Sequence, residues 1–181
     1  MRTLVASLLL LGLATGTAAA DPFKLTSADI KPGAAIGPQF IMNMFGCSGP
    51  NVSPALAWSG APAGTKSFVL TVYDPDAPTG SGFWHWIVYN IPASTTALAQ
   101  GAGAAGAAPG GGVQATNDAG VAGYSGPCPP PGDKPHRYVF TVFATKADKL
   151  EVPPNPSPAV VGFVTHFATL DKASFIATYG R

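Results

Sequence analysis

The residues best suited to chemistry in this chain are two histidines, a tyrosine and two aspartates, each at the edge of an apolar run. Asp74 and Asp76 stand in DPDAP, His85 stands in FWHWIVYNIP, and HRYVFTVFA begins with His136 and carries Tyr138. Imidazole N–H and phenol O–H groups donate to the oxygens of an anion, while a carboxylate accepts from one imidazole and fixes its tautomer. Converging on one cleft, these groups would suit a phosphate monoester.

Each of these side chains also has a purely structural interpretation. Asp74 and Asp76 flank Pro75, as in turns whose carboxylates accept backbone N–H groups. A single histidine between tryptophans is commonly a hydrogen-bonded core residue, and the tryptophans favour packing over a stacking platform. Arg137 is expected to pair with an acid or a carbonyl. Only the convergence of several polar groups therefore favours a binding site.

Three apolar runs predict the strands that position these residues. SFVLTVYDP, from Ser67, alternates in the manner of a strand and is stopped at Asp74-Pro75. WHWIVYNIP is apolar on both faces and is expected in the interior of a sheet, and HRYVFTVFA is a third strand. Strand starts beside loops are where binding sites are commonly built.

Alternation along these strands predicts which side chains share a face. His136 and Tyr138 are expected on one face, with Arg137 turned away. In the middle run, one face should carry His85, Ile87 and Tyr89, and the opposite face Trp84, Trp86, Val88 and Asn90.

The rest of the chain predicts loops and one helix. Prolines punctuate residues 21–64, which favours loops and short edge strands, and the glycine- and alanine-rich residues 97–112 are expected to form a surface loop of low order. A helix is predicted from Ser157-Pro158 and should lie against the sheet through apolar residues spaced by three and four. These residues are Val160, Val161, Val164, Phe167 and Leu170.

The first 20 residues are typical of a secretory signal peptide. Arg2 precedes an apolar stretch that is too short to span a bilayer, and small residues precede Asp21. We therefore expect an exported, periplasmic or secreted protein with one domain over residues 21–181 and no integral membrane segment.

Charge excludes several classes of partner. Without Arg2, nine basic side chains balance nine acidic ones, so the sequence shows no excess of positive charge that would attract nucleic acid or anionic lipid. Only 10% of residues are charged and 46% are hydrophobic, which favours a folded globule over a disordered chain.

The two cysteines, Cys47 and Cys128, favour a disulfide in an exported chain. Closing so long a loop would contribute about 4 to 5 kcal/mol in the chain-entropy model. The alternative is two separately buried thiols.

The segments DPDAP, HWIVYNIP and GPCPPPGDKPHRYVFTVFA together resemble the phosphatidylethanolamine-binding protein family, which includes Raf kinase inhibitor protein. The likeness runs from about Phe23 to Arg181 and is strongest to the bacterial, Raf kinase inhibitor-like branch. It implies a mainly β fold with a large central antiparallel sheet, a smaller sheet and peripheral helices.

The resemblance also implies a small pocket for phosphate, acetate or a phosphorylated head group. Its ligand-binding positions would be Asp74, Pro78, His85, Pro130, His136 and Tyr138. Bacterial members also carry a cysteine pair at the positions of Cys47 and Cys128. The glycine- and alanine-rich insert near residues 102–112 departs from the family.

We expect a noncatalytic binding protein without a cofactor. The chain contains no G-x-S-x-G and no H-E-x-x-H, and the spacing of its histidines and aspartates is no metal signature. The alternative is an inhibitor or modulator of a partner protein, a protease or a surface protein, acting through the loops around the pocket. A hydrolase is the least favoured hypothesis.

Overall fold

The protein, as a computed structural model that describes residues 21–181, is built on two antiparallel sheets. The predicted signal peptide, residues 1–20, lies outside the described residues. The strands are β1 (Lys24–Thr26), β2 (Leu56–Ser59), β3 (Ser67–Asp74), β4 (Phe83–Pro92), β5 (Ala97–Leu98), β6 (Val113–Gln114), β7 (His136–Thr145) and β8 (Thr169–Tyr179). One α-helix, α1 (Pro158–Ala168), and two 3-10 turns, Pro38–Phe40 and Pro109–Gly111, complete the described elements.

The larger sheet has the order β6-β4-β3-β7-β8, and the smaller one has the order β1-β2-β5. All strand pairs in both sheets are antiparallel. This confirms the expected mainly β architecture with a large and a small sheet. Within residues 21–181, no helix is long and apolar enough to cross a bilayer.

Two apolar clusters cover the two faces of the large sheet. The inter-sheet cluster fills the space toward the small sheet and includes Trp58, Phe68 and Phe140. The helix-side cluster lies under α1 and includes Val69 and Val161. Because β3 and β4 bury side chains on both faces, their sequences are nearly continuous apolar runs. The three predicted strands are thus confirmed.

The predicted helix is confirmed and packs on the sheet through Val161 and Val164, but it ends earlier than expected and its buried face is shifted. Ser157 begins α1, and its hydroxyl accepts a hydrogen bond from the Val160 N–H. The buried positions are Pro158, Val161, Thr165 and Ala168. Phe167 is 63% exposed and Leu170 already belongs to β8, so their predicted place in the buried stripe is wrong.

Residues 97–112 lie largely at the surface, as expected, but the segment has more structure than its composition predicts. Leu98 is buried in β5, and the Gly103 N–H donates to the Ser53 hydroxyl. A Cβ on Gly103 would lie 2.7 Å from Tyr124 and 2.9 Å from Trp86. The absence of side chains therefore lets this backbone pack directly on the core.

Candidate functional site

Four buried polar side chains meet at one end of the large sheet. Asp74 is the last residue of β3, and His136 and Tyr138 begin the adjacent antiparallel strand β7. His85 lies near the start of β4 on the other side of β3. None of the four is more than 4% exposed. We call these four residues the polar floor.

The polar floor borders a cavity of about 170 Å³, smaller than the roughly 300–1,000 Å³ of drug-sized pockets. The other lining residues are mainly apolar and comprise Met42, Phe45, Ala77, Pro78, Thr79, Phe83, Cys128, Pro129 and Pro130. All six residues predicted for the ligand site border this one cavity. That they bind a ligand stays a prediction.

His85 reaches the cavity through an irregularity that the sequence pattern did not predict. Tyr73 of β3 pairs with Trp84, and the preceding Val72 pairs with Trp86. His85 is therefore an extra residue in β4, which is the geometry of a β-bulge.

The bulge moves Trp84 and His85 off their predicted faces of β4, whereas Ile87 and Tyr89 still share one face and Trp86 and Val88 the other. Trp84 packs against the helix-side cluster together with Ile87 and Tyr89, whereas Trp86 lies in the inter-sheet cluster with Tyr138. The histidine ring faces the Tyr138 ring at 5.1 Å between centroids. Its predicted common face with Ile87 and Tyr89 is wrong because strict alternation fails at a bulge.

Asp74 performs both of the roles that its sequence context suggested. One carboxylate oxygen accepts the Asp76 backbone N–H at 2.8 Å, as in a turn. The other lies 2.7 Å from His136 Nδ1, so this nitrogen carries a proton and donates to the carboxylate. The second ring nitrogen, Nε2, lies 3.4 Å from a carboxylate oxygen of Asp133.

His85 and Tyr138 differ from Asp74 and His136 in that each has a polar atom without a hydrogen-bond partner among the described residues. His85 Nδ1 lies 2.7 Å from the Ser125 carbonyl oxygen, which only accepts, so Nδ1 carries the proton. Burial lowers the pKa of His85, outweighing the Ser125 hydrogen bond and the Asp74 charge, which both raise it. His85 Nε2 and the Tyr138 hydroxyl are both buried without a hydrogen-bond partner among the described residues. Burial also raises the pKa of Tyr138, which keeps its hydroxyl protonated.

A second layer of polar residues, which the sequence analysis missed, holds His85 in place. The Asn117 side-chain amide donates to the His85 carbonyl at 3.0 Å and to the Ser125 hydroxyl at 2.9 Å. The Ser125 backbone N–H donates in turn to the His85 carbonyl. Nothing in the local sequence around Asn117 signals this role, because the contacts join segments 32 to 40 residues apart.

Asp76 and Arg137 lie outside the cavity. The guanidinium contacts both carboxylate oxygens, at 2.7 and 2.9 Å, and the Arg137 backbone N–H donates to the same carboxylate. The Arg137 hydrogen bonds lower the pKa of Asp76 to about 2, against the opposing effect of burial. This pairing agrees with the expectation that Arg137 turns away and finds an acid.

The disulfide between Cys47 and Cys128 is present and ties two walls of the cavity together. Arg181 reinforces the same junction. Its guanidinium donates to the carbonyls of Pro129 at 2.6 Å and of Gly46 at 2.9 Å. The proline wall and the loop that carries Phe45 are therefore fixed relative to each other.

Among residues 21–181, no cluster of three or more histidine, cysteine, aspartate or glutamate side chains could hold a metal ion. Cys47 and Cys128 are bonded to each other in the disulfide, and the Asp74 carboxylate accepts a hydrogen bond from His136. The described cavity therefore offers the hydrogen-bonding groups of the polar floor and its apolar walls as its means of recognition.

Comparison with known proteins identifies relatives over almost the whole chain. A family model described as phosphatidylethanolamine-binding protein matches residues 26–180. The UPF0098 protein YbcL of Escherichia coli strain K12 is 48% identical over 99% of this chain and 98% of its own. YbhB of the same strain is 48% identical over 86% of this chain and 99% of its own.

Solved structures agree with these sequence relationships. The crystal structure of E. coli YbcL, described as a new member of the mammalian PEBP family, matches at a TM-score of 0.84 and 49% identity. It covers 88% of this chain and 98% of that one. A phosphatidylethanolamine-binding protein homologue, CT736 of Chlamydia trachomatis, matches at a TM-score of 0.73 and 32% identity over 88% of this chain and 97% of its own.

Proposed function

Since this chain belongs to the phosphatidylethanolamine-binding protein family, we propose that it is a noncatalytic binding protein whose cavity takes a phosphate-type anion or a phosphorylated head group. The observation that carries this proposal is the pair of unsatisfied polar atoms in the polar floor, His85 Nε2 and the Tyr138 hydroxyl. A buried polar group without a partner costs about 1–3 kcal/mol. A ligand that contacts both atoms would recover that free energy.

The shape of the cavity favours a small ligand. Apolar walls from Phe45, Phe83 and Pro130 surround a polar floor, the arrangement typical of small-molecule sites. At about 170 Å³ the cavity suits a head group better than a whole lipid. The organic part of the ligand would lie against the apolar walls, toward the exposed Phe45.

The lining residues support binding rather than catalysis. Asp74 and His136 resemble the orienting acid and the base of a catalytic triad, which needs a hydroxyl or thiol nucleophile as third member. The Thr79 hydroxyl donates to the Gly82 carbonyl, and Cys128 is in the disulfide. We therefore propose that the Asp74–His136 pair holds a ligand.

Calorimetric titration with inorganic phosphate and with phosphoethanolamine tests this function. We expect saturable binding with a Kd of about 1 mM or tighter, equivalent to about −4 kcal/mol. Tyr138→Phe should weaken binding about tenfold or more, because a hydrogen bond to a charged group contributes about 1.5–3 kcal/mol. Tyr73→Phe is the matched control, since its hydroxyl donates to the Ser81 carbonyl and Tyr73 does not line the cavity. Absence of binding to both ligands would contradict the proposal.

We further propose that the protein is exported to the periplasm or secreted. The pattern of residues 1–20 and the disulfide support this, since disulfides persist in oxidising compartments. LppC of Mycobacterium tuberculosis, which has lipoprotein in its name, is 36% identical over 91% of this chain. The mass of the protein recovered from the periplasm or the medium should correspond to a chain beginning at Asp21, whereas an intact chain in the cytosolic fraction would contradict export.

A second candidate function is modulation of a partner protein through the loop at the cavity mouth. Phe45 is 61% exposed and Met44 is 38% exposed, and the disulfide and Arg181 hold their loop in place. Phe45→Ser would then abolish capture of the partner, while His85→Gln would leave it intact. The reverse pattern would favour the ligand alone.

A further inference from the structure

We propose that the cavity binds its oxyanion together with one proton, shared between a ligand oxygen and His85 Nε2. A phosphate monoester is therefore held in its monoprotonated form, and binding above neutral pH takes up a proton from solvent. This inference rests on the proposed function and specifies the ligand's protonation state.

The tautomer of His85 is the first argument. Nδ1 donates its proton to the Ser125 carbonyl, so the neutral ring has only a lone pair at Nε2. Nε2 is buried beside the cavity with no partner among the described residues. A lone pair attracts an O–H group and repels a bare phosphate oxygen.

The second argument is that the protein holds this ring in place. It lies 4.8 Å from the Phe83 ring and 5.1 Å from the Tyr138 ring, measured between centroids. Asn117 anchors the His85 carbonyl and the Ser125 hydroxyl at once. Turning the ring to offer an N–H from Nε2 would break the bond to Ser125.

The third argument is the charge around the cavity. Asp74 from β3 and Asp118 from the loop after β6 act on His85, while β7 contributes His136 and Tyr138. Asp133 adds a second carboxylate beside His136. Even if His136 carried a proton on both ring nitrogens, the set of Asp74, Asp133 and His136 would have a net charge of −1. No lysine or arginine lines the cavity within residues 21–181, so a phosphate dianion would meet net repulsion.

The proton balance is simple. Above pH 7 a free phosphate monoester is mainly a dianion, because its second pKa is about 6. On binding, one proton from the buffer joins the complex between a phosphate oxygen and His85 Nε2. The Tyr138 O–H donates to another phosphate oxygen. No covalent bond to phosphorus forms or breaks.

Calorimetry with phenyl phosphate at pH 8, in two buffers of different ionisation enthalpy, measures the protons taken up. We expect about one proton per ligand, and an affinity that falls about tenfold per pH unit between pH 7 and 9. Binding with no proton uptake and constant affinity would overturn this inference and leave the proposed function standing. Failure to bind at pH 6 and at pH 8 would overturn the proposed function itself.

A variant pair and a direct measurement assign the proton to His85. In His85→Gln the amide N–H donates to the anion, so proton uptake should fall close to zero, while His166→Gln on α1 should retain the full uptake. Long-range ¹H–¹⁵N correlation of the free wild-type protein at pH 8 should show His85 protonated at Nδ1. A proton on Nε2 instead would contradict the inference whether or not the variant folds.

Discussion

Both ends of the β3–β7 strand pair bury polar side chains. At one end the hydroxyls are hydrogen-bonded to each other, and at the other end a hydroxyl has no partner among the described residues. At one end Ser67 pairs with Thr145, and their hydroxyls lie 2.7 Å apart. Each hydroxyl also lies within hydrogen-bonding distance of the Ala147 carbonyl oxygen, at 2.7 Å for Ser67 and 3.1 Å for Thr145. At the other end the Tyr138 hydroxyl lies beside the cavity with no hydrogen-bond partner within residues 21–181.

This difference separates a structural polar cluster from a binding site. Buried polar groups in native proteins are almost always paired, so the Ser67–Thr145 end needs no function to explain it. Three buried side-chain atoms lack a hydrogen-bond partner among the described residues. Two of them, His85 Nε2 and the Tyr138 hydroxyl, border the cavity next to the buried Asp74–His136 hydrogen bond, and the third, Trp58 Nε1, does not. That pattern is consistent with a site whose last hydrogen bonds are made by a ligand.

The largest effect is expected from Asp74→Ala, which breaks the buried pair with His136. The variant removes a buried carboxylate that accepts from His136 and from the Asp76 N–H, and each hydrogen bond to a charged group contributes about 1.5–3 kcal/mol to the unfolding free energy. Chemical denaturation should show that loss. Asp133→Ala is the control, because its carboxylate is 42% exposed and lies farther from the imidazole. Equal stability of Asp74→Ala and the wild type would contradict the role given to this pair.

Thr145→Val tests the satisfied end. The change removes the hydroxyl that bonds Ser67 and the Ala147 carbonyl, so the unfolding free energy should fall by about 1–2 kcal/mol. Thr141→Val, the same change on the same strand, should have little effect. Thr141 pairs with Thr71 in the middle of the strand and takes no part in the contacts of Ser67. If Thr141→Val lowered the unfolding free energy as much as Thr145→Val, the loss would come from replacing threonine by valine in a strand and not from the Ser67–Thr145 hydrogen bonds.

The pH dependence of stability tests the burial of His85. Its pKa is lowered in the folded state, so below the ordinary value of about 6.5 the unfolded chain binds a proton that the folded chain does not. The unfolding free energy should therefore decrease as pH falls from 7 toward 5. The slope should be at most about 1.4 kcal/mol per pH unit, the limit for one proton. His85→Gln should lose this part of the profile, and His166→Gln should keep it. A flat wild-type profile would contradict the assignment.

The smallest loss of stability is expected from Tyr138→Phe. The variant removes a buried hydroxyl that has no partner among the described residues, so its unfolding free energy should equal that of the wild type or exceed it, by up to about 1–3 kcal/mol. Tyr124→Phe is the contrast, since that hydroxyl donates to the Phe40 carbonyl at 3.0 Å and its loss should destabilise by about 1 kcal/mol. Equal destabilisation in both variants would remove the distinction between the two kinds of buried tyrosine.

Periodicity and turn residues were enough to predict the strands that carry the site. The run after Ser67 ends at Asp74-Pro75, and the alternation after His136 places Tyr138 on the same side. The bulge at His85 was not predictable, because an extra residue in a strand leaves an apolar run unchanged. The site residues themselves were identified by family resemblance as well as by pattern.

Two further errors have physical causes. The strand β8 was not predicted. The helix α1 passes directly into it at Thr169 with no glycine or proline between them, so no residue in the sequence marks where the eleven-residue strand begins. The segment around Gly103 looked unstructured by composition, yet its backbone packs where side chains would not fit. Both depend on tertiary contacts that local propensity does not contain.

The most direct test of the central claim follows the three histidine rings by NMR during titration with phosphoethanolamine. His85 and His136 line the cavity, and His166 lies on the exposed side of α1 as an internal control. The account predicts saturable shifts of the first two rings at a common Kd, with no shift of the third. If His85 and His136 stay unperturbed, or all three rings shift alike without saturation, the cavity is not a binding site for this class of ligand.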